Sequence, residues 1–98
     1  MNLNQTKMAL WIVCAQRAGI RGGAQLVELC DDWAACVRNH GEPVGFEAYV
    51  AWTRLYSRAT AYRRLDLFRK TFPELGTHGT PEGLMGPLLE RLAAEAEK

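Results

Sequence analysis

The sequence predicts an all-α fold of about five helices in one domain over residues 1–98. Two observations carry this prediction. Apolar residues recur every three or four positions through the first forty residues and again from Phe46, which is the period of an amphipathic helix. No segment alternates apolar and polar residues in the manner of a strand. Ninety-eight residues suffice for one modest core, so a second domain is not expected.

Two helices are predicted before residue 41. The stripe of the first comprises Met8, Trp11, Ile12, Ala15 and Ala18. Gly19, Gly22 and Gly23 should then interrupt the helical pattern. The second stripe, from about residue 24 to 38, comprises Leu26, Leu29, Cys30, Trp33 and Val37. Gly41 is predicted to end it as a left-handed cap. The three tryptophans Trp11, Trp33 and Trp52 are expected to anchor the core, and the alternative is that one apolar stripe is exposed for a partner.

Helical spacing resumes at Phe46 and breaks near Leu55 and Tyr56. Ser57 is a good N-cap for the next helix, whose buried side is predicted to comprise Ala61, Leu65 and Phe68. Pro73 cannot continue that helix.

The order Thr80, Pro81, Glu82 predicts one more helix, over about residues 81–97. Gly86 and Pro87 should kink it.

Charge is divided unevenly along the chain. Residues 54–70 carry six basic residues and one acid, a net charge of +5, whereas the whole chain carries +1 and the remainder therefore −4. A single basic segment on an otherwise acidic protein indicates that one surface meets an anionic partner.

The residues from Ala51 to Leu65 read AWTRLYSRATAYRRL. This run resembles the helix-turn-helix of bacterial and phage regulators, resolvases and transposases. The matching positions are Ala51 at the close crossing of two helices, Tyr56 after the turn, Ser57 at the cap, and Thr60, Ala61, Tyr62 and Arg63 in the recognition helix. Arg54 and Leu55 depart from the pattern, because a small or apolar residue and a glycine are usual there. The resemblance implies a motif over about residues 46–71 within a homeodomain-like or tri-helical core. With no strand pair after Phe72, no wing is expected.

A recognition helix reads base edges with the side chains of its first turns. With Ala61, Leu65 and Phe68 turned inward, the expected base-reading residues are Arg58, Ala59, Tyr62 and Arg63. The expected phosphate contacts are Arg54, Ser57, Arg64, Arg69 and Lys70. For Tyr62, contact with a phosphate and packing across the turn are equal alternatives.

These expectations predict a sequence-specific duplex-DNA-binding protein, either a transcriptional regulator or a recombination accessory factor, in the cytoplasm and associated with the nucleoid. The main alternative is a helical protein-interaction module, an adaptor or an antitoxin-like inhibitor, whose arginines bind an acidic protein. Binding of RNA or single strands is less favoured, because the aromatic residues follow core spacing. Self-association into a homodimer, through the N-terminal helices or the C-terminal one, stays open.

Other sites are not favoured by the sequence. Cys30, Cys36 and His40 lack a fourth ligand at a zinc-like interval, so no metal is expected. Glu28, Asp31 and Asp32 are interpreted as solvated residues on a polar helix face. No nucleophile motif, phosphate-binding glycine loop, cofactor or small-molecule site is recognised, and no catalytic residue is predicted. No apolar stretch is long enough for a membrane span.

Overall fold

The computed structural model describes residues 3–76, 79–81, 83 and 84. Its elements are α1 (Leu3–His40), α2 (Phe46–Trp52), α3 (Arg58–Thr71) and a short 3₁₀ helix (Pro73–Leu75). The described residues are helical and contain no strand, which confirms the all-α class. The expected count of five helices is not confirmed: three α-helices are assigned in the described residues, the first of which spans both predicted N-terminal helices with an interruption at Gly19, and most of the predicted C-terminal helix lies outside the described residues.

Gly19 divides α1 into two segments that fold back on each other. Its φ of 78° and ψ of 171° are non-helical, and only glycine adopts them without strain. Lys7 of the first segment (residues 3–18) pairs with Asp31 of the second (residues 20–40) at 3.6 Å. In a straight helix, 24 residues would separate these two by about 36 Å. The pair therefore requires an antiparallel helical hairpin with its apex at Gly19.

The segments pack closely at two glycines that the sequence predicts to interrupt the helix. Gly22 and Gly23 lie inside the second segment, so the prediction that they break the helix was wrong. A Cβ on Gly23 would lie 2.8 Å from both the Cα and the backbone nitrogen of Ala15. Real Cβ atoms do not come this close to backbone, so glycine here permits the tight packing of the hairpin.

The first segment buries a different side from the predicted one. Ala9, Leu10 and Cys14 are buried, whereas Met8, Trp11 and Ile12 are 64%, 36% and 47% exposed. The assignment of Trp11 to the core was therefore wrong. The segment is apolar on both sides, and spacing alone does not tell which apolar side meets the core.

The second segment supplies the centre of the core. Leu26, Leu29, Cys30 and Trp33 are buried as predicted, and Cys36 is buried with them. The Trp33 indole donates its N–H to the carbonyl of Val44 at 2.9 Å, which ties down the loop before α2. Gly41, with φ of 76°, is the predicted left-handed cap.

Helix α3 packs against the α1 hairpin along its predicted inward side. Ala61, Leu65 and Phe68 are all buried. At the end of α3, Arg17 donates to the carbonyl of Thr71 at 3.1 Å and its guanidinium lies 4.9 Å from the centre of the Phe72 ring. This contact joins the apex of the hairpin to the C-terminus of α3.

A further helix begins at the predicted place. The Thr80 hydroxyl accepts a hydrogen bond from the backbone N–H of Gly83 at 3.2 Å, and the N–H of Leu84 donates to the Thr80 carbonyl. Pro81, Gly83 and Leu84 are helical. The predicted kink at Gly86 and Pro87 lies outside the described residues.

Candidate nucleic-acid interface

The connection between α2 and α3 spans residues 53–57 and is held by one carboxylate of α1. Asp32 accepts hydrogen bonds from the Tyr49 hydroxyl at 2.8 Å and from the Thr53 hydroxyl at 2.5 Å. The Tyr56 hydroxyl is hydrogen-bonded to that of Tyr49. Three hydroxyls around a half-buried acid thus fix both ends of the connection relative to α1. We call these four residues the Asp32 cluster.

Aromatic rings hold α2 against the rest of the fold. Tyr49 is fully buried and stacks on Trp33 with ring centres 5.7 Å apart. Phe46 meets the edge of Tyr62 on α3, with ring centres 5.1 Å apart. Tyr62 thus packs across the connection, which is one of its predicted roles, and it is partly buried.

Helix α2 differs from the helix-turn-helix pattern at Ala51. Ala51 is exposed, so its predicted place at a close helix crossing was wrong. Because α2 turns Phe46, Tyr49 and Val50 toward the core, Ala51 points away from it. Thr53 is the buried small residue, and it makes the contact with Asp32.

The start of α3 is capped as predicted. The Ser57 hydroxyl accepts a hydrogen bond from the backbone N–H of Thr60 at 3.3 Å, with Ser57 in extended geometry. Ser57 itself is exposed, so this end of the helix faces solvent. The positive end of the helix dipole is therefore accessible to an anion.

Four arginines surround this exposed end and the outer side of α3. This set, which we call the arginine face, comprises Arg54, Arg58, Arg63 and Arg69, all exposed. Ala59 is exposed as well, and helical geometry places it between Arg58 and Arg63. A small side chain between two long ones leaves a place where another molecule can approach the helix backbone closely.

Arg58 is partly oriented by its neighbours. Its guanidinium lies 5.0 Å from the centre of the Tyr62 ring and 3.1 Å from a carboxylate oxygen of Glu47 on α2. Both partners of this ion pair are about two-thirds exposed, so the pair contributes little to stability. Glu47 nevertheless places a negative charge at the edge of the arginine face.

Two of the predicted phosphate contacts have partners within the fold. Arg64 is only 16% exposed, pairs with Glu28 at 2.8 Å, and lies 4.4 Å from the centre of the Tyr56 ring. Lys70 pairs with Asp66 one turn earlier at 2.8 Å and remains well exposed, and this pairing raises the pKa of the lysine. A phosphate role for either residue stays a prediction, and for Arg64 it competes with an internal contact.

Burial acts on the phenols of the Asp32 cluster. It raises the pKa of Tyr49, and the hydrogen bonds to Tyr56 and Asp32 add to the effect. The pKa of Tyr56 is also raised, chiefly by burial. Both phenols are therefore neutral hydrogen-bond donors at physiological pH.

Sequence reasoning missed the acids that organise this region. Glu28 and Asp31 remain about half exposed, as the sequence predicts, and they pair with Arg64 and Lys7. The prediction was wrong for Asp32, which is half-buried and accepts hydrogen bonds from the hydroxyls of Tyr49 and Thr53. One signal was present, because these three acids recur at the three- and four-residue spacing of one helix side. Their partners belong to other elements and required the tertiary structure.

No group of three or more His, Cys, Asp or Glu side chains is placed to hold a metal ion in the part of the chain that the structure describes. His40 contacts the carbonyl and sulfur of Cys36, at 2.8 and 3.6 Å from its Nδ1. Burial raises the pKa of Cys14 to about 11 and also raises that of Cys36, so neither is an activated thiolate. Over residues 3–76, 79–81, 83 and 84, no helix is long and apolar enough to cross a membrane.

No family model, curated protein or solved structure matches the chain.

Proposed function

We propose that the protein binds duplex DNA sequence-specifically, with α2, residues 53–57 and α3 acting as a helix-turn-helix and α3 as the recognition helix. One observation carries this proposal. The capped, solvent-facing start of α3 presents Arg58 and Arg63 on either side of the exposed Ala59, while Ala61 and Leu65 hold the opposite side in the core. A helix presented in this way can enter the major groove with its first turns against base edges.

The residues divide by the contact each can make. Arg58 and Arg63 can each donate two hydrogen bonds to a guanine, worth about 1–3 kcal/mol of discrimination per base pair. Ala59 can contact a thymine methyl, and Tyr62 retains enough exposure to reach the groove from its place against Phe46. Ser57, Arg54 and Arg69, at the two ends of α3, are suited to phosphates.

The function that follows is transcriptional regulation or an accessory role in recombination. Both need a small protein that recognises a DNA site without catalysis. The alternative of an acidic protein partner uses the same arginines, but it differs from DNA binding in its response to salt and to competing duplex.

The experiment measures fluorescence anisotropy of a labelled pool of random duplexes over a range of salt concentrations. For the two cationic phosphate contacts, Arg54 and Arg69, the slope of log K against log salt is expected to be about −2. The double variant Arg58→Ala/Arg63→Ala should lose most of its affinity and its preference for a defined sequence within the pool, while this slope changes little. Circular dichroism verifies that each protein is folded.

The matched control is Arg21→Ala/Arg38→Ala, which removes two exposed arginines of α1 and the same amount of charge. It should bind duplex nearly as the native chain does. Equal losses of affinity in both double variants would mean that duplex DNA is attracted to exposed arginines in general and not to the arginine face in particular. Absence of duplex binding by the folded native chain at low salt would contradict the proposal and favour an acidic protein partner.

A further inference from the structure

Arg64, in the middle of α3, is held between two other parts of the fold. Its side chain is 16% exposed, whereas that of Arg58 on the arginine face is 66% exposed. One nitrogen of its guanidinium donates a hydrogen bond to a carboxylate oxygen of Glu28 on α1 at 2.8 Å. The same group lies over the ring of Tyr56 in the connection, 4.4 Å from the ring centre. Arg64 therefore joins α3 both to α1 and to the connection before it.

These contacts belong to a closed series that begins and ends on α1. The hydroxyl of Tyr56 is hydrogen-bonded to that of Tyr49 on α2, and Tyr49 donates to Asp32 at 2.8 Å. Asp32 lies one helical turn after Glu28, on the same side of α1. The series thus passes from α1 through α3, the connection and α2, and then returns to α1. Arg64 is the member that α3 contributes.

A directional contact of this kind restrains the rotation of α3 about its own axis. Burial of Ala61, Leu65 and Phe68 holds the helix against α1, but the hydrophobic effect depends on area and has no direction. A rotation of about 20° would move a side-chain end that lies about 5–6 Å from the helix axis by about 2 Å. The hydrogen bonds of a base contact do not tolerate a shift of that size. The direction of the base-reading side chains therefore depends on what fixes this rotation.

We propose that Arg64 is a positioning residue of the recognition helix and not a phosphate contact. Through Glu28 and Tyr56 it fixes the rotation of α3, and hence the direction in which Arg58 and Arg63 point. This role rests on the DNA-binding function proposed above and names a contact on which its sequence specificity depends. The role requires arginine, because a planar guanidinium can stack on a ring while it donates to a carboxylate, whereas the ammonium group of lysine is a compact point charge.

Fluorescence anisotropy measures two affinities of each protein, one for the duplex that the native chain enriches from a random pool and one for a scrambled duplex of the same composition. The readout is their ratio, because partial unfolding lowers both affinities by the same factor. Glu28→Ala should lower the ratio by about five- to tenfold, near the lower end of what one two-pronged base contact contributes. Arg64→Lys keeps the charge and should lower the ratio similarly. Circular dichroism verifies that both variants are folded.

The matched control is Asp31→Ala, which removes one acid from the same segment of α1 but pairs with Lys7 and not with α3. Its ratio should equal that of the native chain, and an equal fall in this control would contradict the role of Arg64. A native ratio in Glu28→Ala or Arg64→Lys overturns the positioning role while the DNA-binding function stands. A native chain that enriches no sequence contradicts the proposed function itself, and the positioning role with it.

Discussion

At the scale of single residues, the balance of charge around Arg58 decides how strongly the arginine face attracts an anion. Arg58 is the first residue of α3. Its guanidinium lies over the Tyr62 ring and forms an ion pair with Glu47. In the proposed complex the phosphate backbone would meet both the arginine and this acid. If Arg58 contacts DNA as proposed, Glu47 is expected to weaken that binding in two ways, by its ion pair with Arg58 and by repelling the phosphates.

Glu47→Gln should strengthen duplex binding by several-fold at low salt, because it removes the repulsion and releases the arginine. The fold should be nearly unaffected, since both residues of the pair are well exposed. Titration followed by fluorescence anisotropy measures the affinity for duplex DNA. The affinity of the variant should also fall more steeply with salt than that of the native chain, which is an independent check. A matched Glu42→Gln variant, in the loop before α2, separates a local effect from the change in net charge. Unchanged or weaker binding would argue against Arg58 as a DNA contact.

At the scale of secondary-structure elements, the α1 hairpin is the frame on which the arginine face is built. Its second segment carries Asp32, which holds the connection before α3, and Glu28, which binds Arg64. Its apex contributes Arg17 to the end of α3. Both ends of the proposed recognition helix are thus positioned from α1. The tight packing at Gly23 therefore helps to position the arginine face, although Gly23 itself is not part of it.

Gly23→Ala should destabilise the fold by about 1–3 kcal/mol, since the new Cβ would lie 2.8 Å from two backbone atoms of Ala15. Helix propensity alone predicts the opposite sign, a gain of about 1 kcal/mol. Gly83→Ala is the control, because its Cβ would meet only the Thr80 hydroxyl at an ordinary 3.6 Å. Urea unfolding followed by circular dichroism measures both. A stabilised Gly23→Ala protein would contradict the close packing of the hairpin.

The elements show where prediction from sequence succeeds and where it does not. The inward side of α3, its cap at Ser57 and its end before Pro73 were predicted, because they depend on local spacing and local chemistry. The exposure of Trp11 was not predicted, because the first segment of α1 is apolar on both sides.

The prediction of a helix break at Gly23 was wrong because glycine is typical both of helix ends and of places where two helices pack closely. For the candidate site, the arginines were predictable from the sequence. The acids were not predictable, because their partners belong to other elements: Glu28 pairs with Arg64 and Glu47 with Arg58, while Asp32 accepts a hydrogen bond from the Tyr49 hydroxyl.

At the scale of the whole molecule, buried ionisable groups couple the stability of the fold to alkaline pH. Burial raises the pKa of Cys14 from its usual 9.0 to about 11, although Arg17 acts in the opposite direction. The pKa values of Cys36, Tyr49 and Tyr56 are raised as well, chiefly by burial. In each case the folded protein holds its proton more tightly than the unfolded chain does.

The free energy of unfolding should therefore be constant with respect to these groups below about pH 8 and should fall as the pH rises through 9 toward 11. Cys14→Ala removes one of these groups. Over this pH range the free energy of unfolding of the variant should therefore fall less than that of the native chain, by on the order of 2 kcal/mol. Urea unfolding at a series of pH values measures how the free energy of unfolding of each protein depends on pH. The same dependence in both proteins would show that Cys14 does not contribute to it.

The claim that α3 reads base edges is tested most directly by sequencing the duplexes that the folded protein enriches from a random pool, with the native chain and Arg63→Lys compared side by side. Lysine keeps the charge but cannot make the two-pronged contact of arginine with guanine. We expect the native chain to enrich one defined sequence, and Arg63→Lys to retain most of the affinity while losing preference at one position of that sequence. Enrichment of no sequence by the native chain, or the same preference in both proteins, would contradict base reading by α3.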